Sequence, residues 1–581
     1  MHLRKANIVT PNSPTSQART TVTALSSRPH AQVLIIGAGI NGIATFRDLA
    51  LQGVDVVLVE RGDYVSGASA ASSHMIHGGI RYLENGEFRL VKESVTERNR
   101  LIKLAPHYVK PLKTTVPIFS TFSGVLAAPL RFLSHKQGKP QERGALLIKV
   151  GLTMYDSFSR DGGTVPRHEF RGKKESLRQL PRLNPGIAYT ATYYDASMHD
   201  PERLALDVLD DALAATGPAR AANYLEAVAS DAGGVTLKDQ ETGATFVFTA
   251  DVIINTSGPW TDLTNAALGK ATTFMGGTKG SHIVLDNPEL LEATAGREIF
   301  FEHKDGRIVL IYPVKGKIMV GTTDIYADPS TPSRCTEEEV DYFFDLIGHV
   351  FPGIVVDRSQ IVFRFSGIRP LPRHDDEQPG FVSRDYRIEV GAIADTPLLS
   401  LVGGKWTTFR ALAEHLGNEA LALLKMPRTT STTSLAIGGG VGYPITAAAR
   451  TLWVSKHAGD RTKAATDALL ERYGTKSVEV MRYLDLAPDA ELVHNRSYTR
   501  REIERLALEE ETVHLIDVIL RRTNLAFTGS LSLELVEEIA QIIGLALGWS
   551  AERIAGEIES SLADLKSAHS VDLSGRLTAQ R

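Results

Sequence analysis

The sequence predicts an α/β protein in which a Rossmann-like nucleotide-binding domain is interleaved with an antiparallel-sheet domain and followed by a helical domain. Three observations support this fold. Near the start of the chain, a strand, a glycine-rich turn, a helix and a second strand follow one another, as in a βαβ unit. Strand-like segments recur at residues 251–255, 308–312 and 318–321, separated by stretches of different composition. After about residue 425, apolar residues recur at helical spacing.

The βαβ unit is the clearest local signal. Its first strand is predicted at residues 33–36, an apolar run that stops at Gly37. Residues 43–51 have helical spacing, and residues 54–60 form the second strand. Parallel strands need a crossover connection, so this order predicts the opening of a parallel sheet.

A nucleotide fingerprint, G-x-G-x-x-G, lies between this strand and helix. Gly37 permits the tight turn, Gly39 lets a pyrophosphate approach the backbone, and Gly42 lets helix and strand pack closely. The helix N-terminus offers N–H groups and the positive end of its dipole. Glu60, which ends the second strand, can accept hydrogen bonds from the adenosine ribose. Its charge argues against NADP, whereas the motif alone leaves NAD and FAD open.

Composition excludes several classes of function. The 581 residues include 64 Lys and Arg against 68 Asp and Glu, so the formal net charge of -4 provides no overall basic field for nucleic acid. Cys335 is the only cysteine, which excludes an internal disulfide, a cysteine-based metal site and a dithiol redox centre. No metal site is predicted. No run approaches the eighteen or so apolar residues that a membrane-spanning helix needs.

The N-terminal segment resembles a targeting peptide in composition only. Residues 1–31 contain four basic residues, many Ser and Thr, and no acidic residue. Three prolines and the lack of a periodic apolar face disfavour the amphipathic helix of a mitochondrial signal. We therefore predict a disordered tail over residues 1–30, with a targeting peptide as the alternative.

Several motifs beyond Glu60 are too specific for generic packing. The longest is GASAASSHMIHGGIRYLE at residues 67–84. The others are NTSGPW at 255–260, KGSH at 279–282, GTTD at 321–324, SGIRPL at 366–371, SRD at 383–385 and GGKWTTFR at 403–410. Together they resemble the FAD-dependent glycerol-3-phosphate dehydrogenases over about residues 31–425, and more loosely at 513–523. In that family the last motif usually reads GGKLTTYR, so Trp406 and Phe409 are departures that put little in doubt.

The resemblance implies FAD as the cofactor and a fold like that of D-amino-acid oxidase and glutathione reductase. Serine hydroxyls of the longest motif can bond pyrophosphate or ribityl oxygens, and the threonines of GGKWTTFR can present backbone N–H groups to the flavin. The implied cofactor-binding residues are Gly37, Gly39, Gly42, Glu60, Ser69, Ser72, Ser73, His77, Gly78, Gly79, Gly258, Gly404, Thr407 and Thr408.

The implied reaction is oxidation of sn-glycerol 3-phosphate to dihydroxyacetone phosphate by hydride transfer from C2 to flavin N5. A phosphate with close to two negative charges needs Arg forks and Lys charges. Arg81, Arg369, Arg384 and Lys405 match the family's basic substrate positions. His282 matches its proposed base, and Arg81, Arg369 and Lys405 are expected to assist the reaction beside it.

The motifs divide the chain into three regions. A tail covers residues 1–30, and an oxidoreductase region covers 31–425. A helical domain covers 426–581, where Ile503, Leu506, Val513 and Ile516 recur at helical spacing. Within the oxidoreductase region, FAD-binding segments are predicted at about 31–110, 200–270 and 360–425, and substrate segments at about 111–199 and 271–359.

The family resemblance implies membrane quinone as the electron acceptor. Between Lys110 and Arg160, eight basic residues stand against two acidic ones, interleaved with apolar side chains such as Phe119 and Phe122. This segment predicts docking on a membrane surface, with core filling as the alternative. The expected location is the inner face of a bacterial cell membrane, bound peripherally, with the mitochondrial inner membrane as the alternative. A homodimer is compatible with the sequence.

Three other functions remain open at this point. An oxidase would pass the electrons to oxygen and release peroxide. A dehydrogenase of another polyol phosphate, such as erythritol phosphate, would use the same arginine cluster. A non-enzymatic flavoprotein sensor on the same fold ranks lowest, because the candidate site is complete in sequence.

Overall fold

The computed structural model describes residues 19–79, 88–119, 165–302, 308–373 and 385–573, with residues 148–149, 152–153 and 155–156. Strands are numbered along the chain, and they form two sheets within these residues. The first sheet contains β1 (His30–Ile36), β2 (Val56–Val59), β7 (Arg220–Ala222), β8 (Leu225–Asp231), β9 (Gly234–Asp239), β10 (Thr245–Asn255), β17 (Arg387–Ile393) and β18 (Thr396–Val402). The second contains β3 (Met75–Ile76), β4 (Val109–Ile118), β5 (Glu169–Gly172), β6 (Tyr189–Met198), β11 (Met275–Leu285), β12 (Glu298–Glu302), β13 (Ile308–Val314), β14 (Lys317–Gly321), β15 (Ile325–Tyr326) and β16 (Ile361–Pro372).

The first sheet is the predicted nucleotide-binding sheet. Its strand order is β17-β18-β10-β1-β2-β7, and β1 pairs in parallel with both β10 and β2. Residues 33–36 are all buried, as expected for a central parallel strand that is covered on both faces. The helix Ile40–Leu51 follows β1 and extends the predicted helix by one turn toward the N-terminus. The predicted βαβ unit is confirmed.

The second sheet is the predicted substrate sheet. It is antiparallel except where β4 pairs in parallel with β12. β16 pairs with β11 over eleven residue pairs, from Met275↔Pro372 to Leu285↔Ile361. The assignment of residues from 360 onward to the FAD-binding domain is therefore wrong for β16, because its backbone hydrogen bonds are made within the substrate sheet.

Helices cover the sheets and form the C-terminal region. Glu337–Val350 begins at a capping box in which Thr336 and Glu339 bond each other's backbone, and Leu533–Leu547 begins at Ser532 and ends at Gly548, whose φ is 68°. The described α-helices up to residue 425 are Thr20–Ser27, Ile40–Leu51, Phe88–Leu104, Lys173–Gln179, Pro201–Leu213, Thr261–Ala267, Pro288–Ala293, Glu337–Val350 and Phe409–Leu423. Those after it are Ala447–His457, Lys463–Tyr473, Ser477–Leu484, Arg500–Glu509, Leu515–Asp517, Leu533–Leu547 and Ala551–His569.

The predicted tail is wrong over its last residues. Thr20–Ser27 is a helix that buries Val22 and Leu25, and Leu25 packs into the core beside β1. Arg19 donates to the backbone oxygen of Asn223 at 2.6 Å. Burial of two apolar side chains explains why this stretch is ordered although its composition is polar. The first 18 residues lie outside the described part of the chain.

The C-terminal region packs on the substrate sheet. One hydrophobic core joins Phe363 and Phe365 of β16 to Ile503 and Leu506 of the helix Arg500–Glu509. Val513 and Ile516 do not continue that helix, because the chain turns at residues 510–514 before the next helical turn. The four residues predicted to lie on one helix thus belong to two separate helices and the turn between them. The fold is nevertheless the predicted one, an interleaved oxidoreductase with a helical C-terminal domain.

A buried ion cluster ties this C-terminal domain to the nucleotide-binding loop. Asp63 follows β2 and accepts hydrogen bonds from Arg521 Nε, from Arg522 Nη1 and, at 2.8 Å, from Arg522 Nη2. Both arginines belong to the π-helical segment Val518–Arg522. Burial alone would raise the pKa of Asp63, but the two guanidinium groups outweigh it and hold that pKa well below its usual value.

The predicted membrane-docking segment lies mostly outside the described residues. At its described edge, Lys110 forms an ion pair with Glu471, and the Phe119 ring packs against His349 in the core of the substrate domain. The Phe119 contact is the one that the core-filling alternative predicts, whereas Lys110 is held in an ion pair; docking by the rest of the segment stays a prediction. In the described part of the chain, every helix is too short or too polar to cross a bilayer.

Candidate active site

The glycine-rich turn joins β1 to the helix Ile40–Leu51. Gly37 has a φ of 103° and donates its N–H to the Val59 oxygen at 2.9 Å. A Cβ at residue 42 would overlap the Gly37 carbonyl oxygen, so only glycine lets the helix begin this close to the strand. A Cβ at Gly39 would lie 3.1 Å from Ser69 Oγ. The three glycines therefore permit the close packing that the fingerprint predicts.

Glu60 fixes this turn. Its carboxylate accepts the N–H of Ala38 at 2.8 Å and the N–H of Gly62 at 3.0 Å. Burial raises the pKa of Glu60, and these two hydrogen bonds oppose that effect. Each carboxylate oxygen has a second lone pair, so the geometry is compatible with the predicted contacts to ribose hydroxyls.

The loop at residues 67–79 meets the start of the helix. Ser69 Oγ accepts the Ile40 N–H at 3.0 Å, and the Ser69 carbonyl accepts Trp406 Nε1–H at 3.0 Å. Ser72 Oγ accepts the His74 N–H at 3.3 Å, which closes a tight turn. Three segments that are distant in sequence thus converge at one helix N-terminus.

The segment at residues 403–410 completes this convergence. Gly404 has a φ of 104°, and a Cβ there would overlap the Asn41 amide nitrogen. The Thr407 hydroxyl donates to the His77 carbonyl oxygen at 3.2 Å. Thr408 precedes the helix Phe409–Leu423, and its hydroxyl is buried.

A buried polar network holds the Gly78 backbone in position. Asp195 Oδ1 accepts the Gly78 N–H at 2.8 Å, the Tyr155 hydroxyl at 2.6 Å and Arg98 Nη1 at 3.1 Å. A Cβ at residue 78 would overlap the Tyr155 hydroxyl, and Gly79 has a φ of 76°. Sequence reasoning missed Arg98, Tyr155 and Asp195, because no local motif links residues so far apart.

Gly258 begins a short 3-10 turn after β10, with a φ of 63°. Within this turn Trp260 Nε1 donates to the Pro329 oxygen at 2.7 Å, and the Arg61 guanidinium lies 4.6 Å from the Trp260 ring centre. Gly258 therefore begins a turn that lies beside the loop at residues 67–79, close to other predicted FAD-binding residues.

The substrate sheet presents one face to the same loop. Gly280 of β11 and Gly367 of β16 lie directly opposite each other, and the pairs His282↔Phe365 and Thr278↔Arg369 flank them. Because side chains alternate between faces, these six residues share one face. A Cβ at Gly280 would overlap the Arg369 guanidinium, and one at Gly367 would overlap Ala71. The glycine pair lets Arg369 and the loop lie flat on the sheet.

Arg369 is held by the motif GTTD. Its guanidinium donates to Thr322 Oγ1 and the Thr323 carbonyl at 2.8 Å each, and to Asp324 Oδ1 at 3.1 Å. From sequence alone, the motif GTTD is recognised only by its resemblance to the family, with no role for its residues. Their structural role is to fix the orientation of the Arg369 side chain, which is 19% exposed.

His282 is buried on the same face. Its ring stacks on Phe365 with centroids 4.7 Å apart and an interplanar angle of 8°, and its Nε2 lies 2.8 Å from Ser73 Oγ. Burial lowers the pKa of His282 well below its usual value, and the positive charge of Arg369 lowers it further. At neutral pH the imidazole is therefore uncharged.

Of the other three predicted substrate-binding basic residues, the structure describes only Lys405. Lys405 Nζ lies 3.3 Å from Ser94 Oγ of the helix Phe88–Leu104. Arg81 and Arg384 lie outside the described residues, so their roles stay predictions. Within the described residues, no group of three or more His, Cys, Asp or Glu side chains could hold a metal ion.

A cavity of about 640 Å³ adjoins the loop and is lined in part by Ala70, Ala71 and Gly367. The catalytic region contributes Trp260, Leu263 and Phe365 to its wall, and the C-terminal domain contributes Leu520 and Phe527. His74 stacks on Phe527 with ring centroids 4.8 Å apart. The wall thus mixes apolar side chains with charged ones, among them Arg61, Arg203 and Arg472, and includes contributions from both domains.

Comparisons with known proteins agree with this geometry. A family model described as FAD dependent oxidoreductase matches residues 32–409, and one described as the C-terminal domain of alpha-glycerophosphate oxidase matches residues 430–554. The chain is 30% identical over 555 residues to the glycerol-3-phosphate dehydrogenase of Synechocystis sp., covering 91% of this chain and 95% of that protein. This chain belongs to the FAD-dependent glycerol-3-phosphate dehydrogenase family. As predicted, it is an oxidoreductase whose cofactor is FAD.

Two further proteins are similar to this member of the dehydrogenase family. D-erythritol 1-phosphate dehydrogenase of Brucella abortus is 32% identical over 392 residues, covering 66% of this chain and 72% of that protein. The crystal structure of glycerol-3-phosphate dehydrogenase from Bacillus halodurans, complexed with FAD, superposes with a TM-score of 0.71 at 23% identity. It covers 95% of this chain and 97% of that chain. The second likeness supports the fold.

The residues of this family member fit FAD. Asn41 Oδ1 and Thr408 Oγ1 are buried without a hydrogen-bond partner, and both lie where the three convergent segments meet. Buried polar atoms normally have partners, so two such atoms at a helix N-terminus indicate a polar group to be bound there. The contacts of the other predicted FAD residues with the cofactor stay predictions.

Glu60→Arg is expected to weaken FAD retention. The substitution removes the acceptor of the Ala38 and Gly62 N–H groups and places a positive charge where ribose hydroxyls need acceptors. The flavin released on gel filtration should rise relative to wild type, while Glu226→Arg, at a β8 carboxylate that accepts a hydrogen bond from the Gln240 side chain, should retain FAD normally. Equal retention by Glu60→Arg and wild type would remove Glu60 from the site.

Proposed function

We propose that this family member oxidises sn-glycerol 3-phosphate to dihydroxyacetone phosphate on the face of β11 and β16 beside the loop at residues 67–79. The observation that carries the proposal is that Arg369, fixed by three hydrogen bonds, and a neutral, buried His282 share this face. When bound, FAD supplies the two-electron chemistry by accepting a hydride from C2.

Each residue has a task that its environment supports. Arg369 binds the phosphate or orients the C2 hydroxyl, because its guanidinium charge attracts substrate oxygens and its hydrogen bonds to the motif GTTD fix its position. His282 takes the hydroxyl proton on the lone pair of its neutral imidazole, and the charge of a bound phosphate would offset the effect of Arg369, which lowers the pKa of His282. Phe365 and the surrounding sheet exclude water from the base, because His282 is only 2% exposed.

Another polyol phosphate is the second candidate substrate. The Brucella abortus relative is a D-erythritol 1-phosphate dehydrogenase, and an arginine that binds phosphate would serve either substrate. Comparing kcat/KM for sn-glycerol 3-phosphate and D-erythritol 1-phosphate tests this choice. A higher value for sn-glycerol 3-phosphate is expected, and preference for the four-carbon substrate would overturn this part of the proposal.

Membrane quinone is the proposed electron acceptor. Because quinone lies within the bilayer, the enzyme is also proposed to bind at a membrane surface. A cluster of apolar side chains in the otherwise mixed wall of the 640 Å³ cavity, including Trp260, Leu263 and Phe527, supports this choice, because a quinone ring is apolar and must approach the cofactor. An oxidase would instead reduce oxygen to peroxide.

The acceptor proposal can be tested at the exposed edge of this cavity. Leu263 is 46% exposed and lines the cavity, whereas Leu423 is 40% exposed and is not among its lining residues. Leu263→Arg is expected to slow reoxidation by a soluble quinone, because it replaces an apolar contact at the exposed edge by a longer, charged side chain, while Leu423→Arg leaves it unchanged. A near-stoichiometric yield of peroxide from wild type would favour the oxidase.

His282→Asn is expected to slow flavin reduction by about 10²-fold or more while FAD stays bound, since general-base catalysis contributes roughly that much. The deficit should shrink as the pH rises, because hydroxide can replace the missing base. Rapid mixing of each variant with substrate under anaerobic conditions measures this. Reduction as fast as in wild type would assign the base to another group.

A further inference from the structure

The hydroxyl of Ser73 faces the proposed base rather than the fingerprint helix. Ser73 Oγ lies 2.8 Å from His282 Nε2, although the two residues are 209 positions apart. Among the serines of the same loop, Ser69 and Ser72 bond nearby backbone N–H groups. The contact is made possible by the Gly367 position, where Ala71 lies against the sheet.

The other imidazole nitrogen, His282 Nδ1, is buried without a hydrogen-bond partner. Gly321 lies beside the opposite edge of the ring, and a Cβ there would overlap His282 Cδ2. The ring is therefore clamped by Phe365 on its face, Gly321 at one edge and Ser73 at Nε2. Only Nδ1 has hydrogen-bonding capacity left for a substrate.

A neutral imidazole carries one N–H, so the Ser73 contact can be made in two ways. If Ser73 donates to Nε2, the proton lies on Nδ1 as a buried N–H without an acceptor. If Nε2–H donates to Ser73 Oγ, Nδ1 keeps a lone pair. Buried N–H groups without an acceptor are the rarer and more costly of the two, so the second arrangement is favoured.

We propose that Ser73 is a positioning residue that holds His282 in the Nε2–H tautomer and thereby makes Nδ1 the basic atom. This inference rests on the proposed function. The C2 hydroxyl O–H bond breaks, its proton forms an N–H bond at Nδ1, and its electron pair forms the C2 carbonyl as the C2 hydride leaves to the cofactor. The Nε2–H bond to Ser73 is kept throughout, so the imidazolium formed stays hydrogen-bonded.

The tautomer can be observed directly. In FAD-loaded protein labelled with ¹⁵N only at its 17 histidines, the signals lost in His282→Asn identify His282. We expect the chemical shifts of a protonated Nε2 and an unprotonated Nδ1 in wild type and in Ser73→Thr, which keeps the hydroxyl. In Ser73→Ala the Nε2–H signal should shift or exchange between tautomers. An Nδ1–H tautomer in wild type would overturn the proposal.

Kinetics provide the second measurement. Ser73→Ala is expected to slow anaerobic flavin reduction about tenfold or more with FAD content unchanged, and Ser73→Thr should recover most of the rate. Ser281→Ala is the matched control, because Ser281 neighbours His282 but its hydroxyl bonds Ser366 Oγ, at 3.1 Å, on the opposite face. Ser281→Ala should reduce flavin at the wild-type rate.

The outcomes separate this inference from the proposed function. Loss of FAD by Ser73→Ala, with a normal rate after reconstitution, would make Ser73 a cofactor contact only and overturn the positioning role. If sn-glycerol 3-phosphate does not reduce the wild-type flavin, the proposed function fails. The ¹⁵N spectrum still shows which nitrogen of His282 is protonated, and so tests the role of Ser73 separately.

Discussion

Arg369→Ala is expected to lower kcat/KM for sn-glycerol 3-phosphate by more than tenfold, with the protein folded and loaded with FAD. The reason is the loss of a charge-assisted contact to the substrate, which is worth about 1.5–3 kcal/mol. Thr322, Thr323 and Asp324 hold the guanidinium in one orientation, so little entropy is lost when substrate binds. Steady-state kinetics with a soluble acceptor measure the effect.

Two further variants make this prediction specific. Arg369→Lys should recover only part of the activity, because lysine keeps the charge but lacks the planar fork. Arg387→Ala is the control, since Arg387 lies on the edge strand β17 and pairs with Glu389 at 2.6 Å, away from the substrate sheet. Unchanged kinetics in Arg369→Ala would remove Arg369 from the site.

Arg522→Met is expected to lower the free energy of unfolding by about 3–5 kcal/mol, because it removes one partner of a buried ion cluster. Arg522 and Asp63 are both fully buried, and Arg522 also donates to the Glu510 carbonyl oxygen at 2.9 Å. Asp63 would keep Arg521, which also bonds Asp517 at 2.6 Å, and the side-chain amide of Asn223 at 2.9 Å. Urea unfolding followed by far-ultraviolet circular dichroism measures the change.

The surface pair Arg500–Glu538 provides the control for this effect. Arg500 is 47% exposed and lies 3.0 Å from Glu538, so Arg500→Met should cost less than about 1 kcal/mol. Because Asp63 lies three residues after Glu60, Arg522→Met should also release FAD at lower urea than wild type. Equal stability of Arg522→Met and Arg500→Met would show that the cluster does not hold the two domains together.

Local signals explain which parts of the fold and site could be predicted. The βαβ unit and the glycine turn are encoded within thirty residues, where periodicity and turn chemistry act directly. His282 and Arg369 were found because each lies in a short motif that resembles those of a known family, and both lie on one face of the substrate sheet.

Long-range pairing explains what could not be predicted. Asp63 and Arg522 are 459 positions apart, and Asp195 reaches Gly78 from 117 positions away. Neither pair leaves a local pattern, because a buried carboxylate and a surface one look the same in sequence. The helix Thr20–Ser27 was missed for the same reason, since Leu25 becomes a core residue only when it packs beside β1.

Anaerobic addition of sn-glycerol 3-phosphate to the purified protein is the most direct test of the central claim. The protein is expected to be yellow with non-covalently bound FAD, and one equivalent of substrate should bleach the oxidised flavin absorbance with formation of dihydroxyacetone phosphate. A flavin absorbance that persists with substrate in excess, or a colourless protein that binds NAD instead, would contradict the account.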